Sequence, residues 1–110
     1  MPLSEKVRIE AYLPDLPRPA YQELLTALEL EFTHTFGGCT TARGLEGNYL
    51  SRAGAQVRDR INLVYSDAPL SFNKHFNQVA TYADELRRAA HDALEEEAIL
   101  VAVVSVHHSE

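Results

Sequence analysis

Val7-Arg8-Ile9-Glu10-Ala11-Tyr12-Leu13 alternates apolar and polar residues without a break, the period-two signature of a strand with one buried face. Pro14, Pro17 and Pro19 end that strand, and Pro19 suits the first turn of a helix. Tyr21, Leu24, Leu25, Leu28 and Phe32 then recur at three- and four-residue steps, which predicts an amphipathic helix stopped by Gly37 and Gly38 as left-handed caps. Cys39 to Ser51 reads as a strand bulged or kinked at Gly44 and Gly47. Arg52-Ala53-Gly54-Ala55 is a tight turn with Gly54 at positive φ. The next strand, Val57 to Ser66, divides into Ile61, Leu63 and Tyr65 on one side and Arg58, Arg60, Asn62 and Val64 on the other. Ser71 or Asn73 is placed to cap a second helix, whose buried stripe is predicted to be Phe72, Phe76, Val79, Ala83, Leu86, Ala90 and Leu94. Ala98 to Val106 closes the chain as a strand, with His107 to Glu110 expected to fray.

Strand, helix, strand, strand, helix, strand is the order of the ferredoxin-like α+β sandwich. Right-handed crossovers turn that order into a four-stranded antiparallel sheet with both helices on one face and the first and third strands central. A chain of 110 residues has room for one such core, so residues 1–110 are read as a single domain.

Two helices cover one face of such a sheet, so an edge strand with a wet back should alternate. The last strand does not: Ile99, Val101 and Val103 point one way and Leu100, Ala102, Val104 and Val106 the other, all apolar. Apolar residues on both sides are expected where both faces are buried, and leaving two such side chains in water forfeits on the order of 3–6 kcal/mol. A second copy of the chain, dimer or higher, is the simplest cover, the alternative being that the long second helix or the N-terminal arm folds over that face. Leu100, Ala102, Val104, Val106 and Val64 are therefore expected at a homo-oligomer interface.

The same alternation puts Arg8, Glu10 and Tyr12 on the open face together with Arg58, Arg60 and Asn62. One reading is a cross-strand ion-pair ladder with Glu10 opposite Arg58 or Arg60. The other is a pocket between facing sheets, in which guanidinium groups grip a carboxylate or phosphate. These six residues are the candidate ligand site, for a small anion or a protein partner.

Composition narrows the alternatives. Sixteen acids against ten bases give a formal charge of −6, which disfavours nucleic-acid binding through phosphate neutralisation. Aromatic residues in the Arg/Lys-Gly-Phe-x-Phe arrangement of RNA-binding sheets are missing too. A lone cysteine, Cys39, excludes an internal disulfide framework and a thiolate-rich zinc site. It adjoins a helix C-terminus, the wrong dipole end for a reactive thiolate. His34, His75, His91, His107 and His108 include no i, i+4 pair, so no metal and no cofactor are expected within one chain, and only a site shared between copies stays open. Asp84, Glu85, Asp92 and Glu95 to Glu97 read as a solvated helix face, with the last three opposing the dipole and prone to fray or to meet a basic partner. No apolar run is long enough to cross a bilayer, and Met1 to Lys6 lacks a secretory leader's apolar stretch, so a cytoplasmic setting is expected.

Phe36-Gly37-Gly38-Cys39-Thr40, then Gly47-Asn48-Tyr49, a turn and the strand Arg58 to Tyr65 resemble a family of small bacterial α+β proteins of uncharacterised function. In that family a Gly-Gly-x-Thr start precedes Gly-x-aromatic and a hairpin. The resemblance covers the middle third of the chain and implies the ferredoxin-like fold, with no activity to carry over. More distantly, the topology is similar to dimeric α/β-barrel proteins, some of them cofactor-free oxygenases or isomerases. The function classes left are a homo-oligomeric binding or regulatory module, a small cofactor-free isomerase or oxygenase using Glu10, Tyr12 or a histidine in an intersubunit pocket, and a purely structural assembly protein.

Overall fold

The computed structural model describes residues 3–94 and 99–109. Its elements follow the expected order: β1 (Leu3–Pro14), α1 (Pro19–Phe36), β2 (Thr40–Leu50), β3 (Gln56–Ala68), α2 (Phe72–Leu94) and β4 (Leu100–Ser109). The strands form one antiparallel sheet in the order β2-β3-β1-β4, which is the ferredoxin-like sandwich. Val7, Ile9, Ala11 and Leu13 of β1 are buried against Tyr21, Leu25, Leu28 and Phe32 of α1, with Val79, Leu86 and Ala90 of α2 completing the core. Gly37 closes α1 at φ 92°, donating its N–H to the Thr33 carbonyl. Gly38 is not left-handed, so one cap suffices.

Two further local expectations are corrected. Phe76 is 60% exposed, because His75 adopts non-helical angles (φ −121°, ψ 21°) and breaks the phase of the first turn of α2. Neither Ser71 nor Asn73 supplies a side-chain cap. The imidazole Nδ1 of His75 accepts the Ser71 backbone N–H at 3.0 Å instead. At the other end of the chain, β4 continues through His107 and His108 to Ser109 and is paired with β1 there, so the expected fraying of these residues does not occur. The fraying expected of Glu95, Glu96 and Glu97 lies outside the described residues.

The register of β3 carries the main correction. Residues directly opposite one another in an antiparallel pair share a face. Ala11 stands opposite Val64, Leu13 opposite Asn62 and Ile9 opposite Ser66. Asn62 and Val64 therefore face the helices and are buried, and Val64 is a core residue with no place in an interface on the open side. Ile61, Leu63 and Tyr65 stand opposite Pro14, Tyr12 and Glu10 and belong to the open face.

A polar side chain in the core demands partners, and Asn62 has them. Its Oδ1 accepts the Gly44 N–H at 2.9 Å and its Nδ2 donates to Asp15 Oδ1 at 3.3 Å. Gly44 sits at φ 67° inside the β-bulge between Ala42 and Leu45, where the ladder leaves an amide without its strand partner. Asn62 thus ties the bulge of β2 to the end of β1. Gly47 is no bulge: it pairs in register with Asp59, whose carboxylate folds over it where a Cβ would stand. Asn62→Ala is expected to destabilise the fold by about 1–3 kcal/mol, since it orphans the Gly44 amide, as read from urea unfolding.

Candidate functional site

Helices α1 and α2 lie on one side of the sheet, and the described residues leave the other side uncovered. Three strands supply its apolar surface: Ile61, Leu63 and Tyr65 from β3, Tyr12 from β1, and Leu100, Ala102, Val104 and Val106 from β4. Leu100 is 59% exposed and Val104 39%. Leu45 and Tyr49 of β2 extend the surface onto the β2–β3 hairpin, which runs past the end of β1. The face is more apolar than the alternation suggested, because β3 turns its apolar set outward.

One polar cluster interrupts it. Arg8 grips Asp67 with two parallel hydrogen bonds, Nε to Oδ1 at 2.7 Å and a terminal guanidinium nitrogen to Oδ2 at 3.0 Å. His108 Nε2 lies 2.7 Å from the same Oδ2. The Arg8 guanidinium also stacks over the Tyr65 ring, 4.4 Å from its centroid, so its charge is met by a carboxylate and by a π-face. These hydrogen bonds hold the Asp67 carboxyl below its ordinary range and the Arg8 guanidinium above its own. Nearby, Tyr12 donates its hydroxyl to Glu10 Oε1 at 2.9 Å, and the bond to this carboxylate raises the phenol's pKa.

The six candidate ligand residues are therefore not brought together. Arg8, Glu10 and Tyr12 share the open face. Arg58, Arg60 and Asn62 belong to the opposite side of β3, by the same alternation that buries Val64. Beyond Ile61, β3 is paired within the sheet with β2 alone, so Arg58 and Arg60 pass the end of the core and stand exposed. Glu10 faces Tyr65 and Ala102, not an arginine of β3. Arg58 and Arg60 instead edge a cleft of about 400 Å³ shared with Asp15, Glu46 and Asp59, and Arg60 Nε lies 3.7 Å from Asp15 Oδ2. Asp15 and Glu46 match the two arginines in charge, which removes the excess of positive charge from which the anion pocket was argued.

Asp67 and His108 are the site residues that sequence reasoning missed. The strand read from the sequence stops at Ser66, one residue short of Asp67, and His108 falls in the end expected to fray. Continuation of the alternation by two residues, 63-65-67 and 104-106-108, is the signal that would have found them. His107 alternates to the other side. Among the described residues no three His, Cys, Asp or Glu side chains cluster as metal ligands. Cys39 is half-buried, with its Sγ 3.7 Å from the Glu29 carbonyl oxygen.

No family model matches the chain, and no curated protein matches it. Among solved structures the chain is similar to CutA1 from Oryza sativa, with 12% identity over 98% of this chain and 84% of that one and a TM-score of 0.47. No described helix is long and apolar enough to cross a membrane.

Asp67 is a depressed-pKa group, so its ion pair contributes fully above the ordinary aspartate pKa of about 3.9 and is lost as pH falls through the lower folded value. Asp67→Asn is expected to cost about 1–2 kcal/mol at pH 7. The deficit relative to wild type should shrink towards pH 2, as measured by urea denaturation at both pH values.

Proposed function

We propose that this protein is a self-associating module of the cytoplasm, whose open sheet face is buried against further copies of the same chain. The observation that carries this is the apolar set that β3 and β4 turn to the open face, Leu63, Tyr65, Leu100, Ala102, Val104 and Val106, on either side of β1, where Arg8 is already paired with Asp67. A surface of this kind on a monomer is a standing cost in water. Its extent also fits. Four strands about 4.8 Å apart and about ten residues long project roughly 600 Å², of the order of the 800 Å² per partner in a stable complex.

A second copy suits it better than an unrelated charged partner. Arg8 is already satisfied by Asp67 and Tyr65, so the cluster offers little unmatched charge for a partner to complement. A two-fold interface asks for such a self-matching surface. The pairing of Arg8 also supports assembly over anion binding on this face. A catalytic reading has less support, because it requires an enclosed pocket beside its acid–base group, and the cavity next to Tyr12 is an open one. The suggested kinship with uncharacterised bacterial proteins adds no activity to this reading.

Light scattering across a concentration series tests it. Wild-type protein is expected at a multiple of the 12.3 kDa chain mass. Val104→Glu, which puts a charge in the middle of β4, is expected to weaken association by at least about tenfold, the loss of roughly 1.4 kcal/mol or more that burying a carboxylate exceeds. Thr81→Glu on the exposed side of α2 should leave the mass unchanged. A wild-type chain that stays at the single-chain mass at every concentration overturns the proposal.

A further inference from the structure

At the end of the open face away from Arg8, the hairpin and the neighbouring strands border an open depression of about 350 Å³. Tyr12, Tyr49, Ile61 and Leu100 line it with two phenol rings and two aliphatic groups, and Gly47 and Asp59 close the side next to the hairpin. No lysine or arginine lines it. Asp59 projects from β3 directly opposite Gly47 of β2, and its carboxylate rests over that glycine. Any side chain at position 47 would push the carboxylate away, so the glycine is what lets it lie against the cavity.

The carboxylate of Asp59 has no salt bridge and no side-chain hydrogen bond among the described residues. Every other acid of the open face is engaged: Asp67 by Arg8 and His108, and Glu10 by the Tyr12 hydroxyl. An unengaged carboxylate, two tyrosines and aliphatic walls form the complement of one ligand chemistry. Cations are drawn to phenol rings by the ring quadrupole, to the carboxylate by charge, and an apolar body fills the remaining space.

We propose that this cavity binds a small primary ammonium compound with an apolar or aromatic body, its nitrogen held by Asp59 between the rings of Tyr12 and Tyr49. This reverses the sign of the ligand expected from the arginines of β1 and β3. The site is formed by residues of one chain, but Tyr12 and Leu100 also belong to the face proposed to be buried, so assembly competes with the ligand for it.

The test uses 2-phenylethylamine as probe, with 2-phenylethanol as its neutral analogue and phenylacetate as its anionic one. Each is titrated calorimetrically at pH 7 into wild-type protein and into Val104→Glu, a position that does not line the cavity. The amine is expected to bind at least about fivefold tighter than the alcohol, an advantage typical of one exposed charge contact with a cation–π contribution. Asp59→Asn should abolish the advantage, and Tyr49→Leu, which keeps the wall apolar, should reduce it. Binding to Val104→Glu but not to wild type supports the site and shows that another copy covers it. Absence of amine binding in both hosts overturns the proposal. So does phenylacetate binding as tightly as the amine, or a preference for the amine that survives Asp59→Asn.

Discussion

Pairing of Val64 with Ala11 across β3 and β1 is the constraint from which the rest of the molecule follows. Side chains alternate with a period of two, so one pair of opposite residues decides the face of every other residue in both strands. With Val64 against Ala11, the core receives Asn62, Val64, Ser66 and Ala68. The open face receives Ile61, Leu63, Tyr65 and Asp67. A slip of β3 by one residue would bury Asp67, the partner of Arg8, and expose Val64. It would also strip Asn62 and Ser66 of their partners and bury a carboxylate away from its arginine, which opposes that slip.

That register has a cost, and the structure meets it with polar chemistry. It directs Asn62 and Ser66 into the core, where unpaired polar groups are expensive. Asn62 is satisfied by the bulged Gly44 amide and by Asp15, and the Ser66 hydroxyl donates to the Gly38 carbonyl at 2.6 Å. Both bonds reach irregular backbone: a bulge in β2 and the turn after α1. The polar core residues and the departures from regular structure are thus parts of one arrangement. On the open side the same register lines up Arg8 and Asp67, so this charge pair is neutral before any partner arrives.

The inward turn of the polar set of β3 has a physical cause. Arg58 and Arg60 are charged and, by alternation, travel with Asn62 and Val64. Placing that set on the wet side of the sheet was the natural choice for strands of equal length. The hairpin of β2 and β3 outruns β1, however. Its charged residues are solvated because the core has ended, even though they point to the helix side. The cluster of Arg8, Asp67 and His108 was illegible for a related reason, since it joins positions far apart in the chain and two of its members lie just past the strand ends read from the sequence. Similarly, Phe76 fits the helical period but is displaced by the break at His75.

Order and type of all six elements, the cap at Gly37, the turn at Gly54, the bulge at Gly44 and the two apolar sides of β4 were legible in the chain itself. Each rests on local preference or on spacing within one element, and such properties are carried by consecutive residues. Which face of β3 meets the helices, and hence which side chains share a site, was decided only by tertiary structure. Alternation within a strand divides residues into two sets but does not say which set turns inward. That choice belongs to the pairing between strands and to how far each extends past the core.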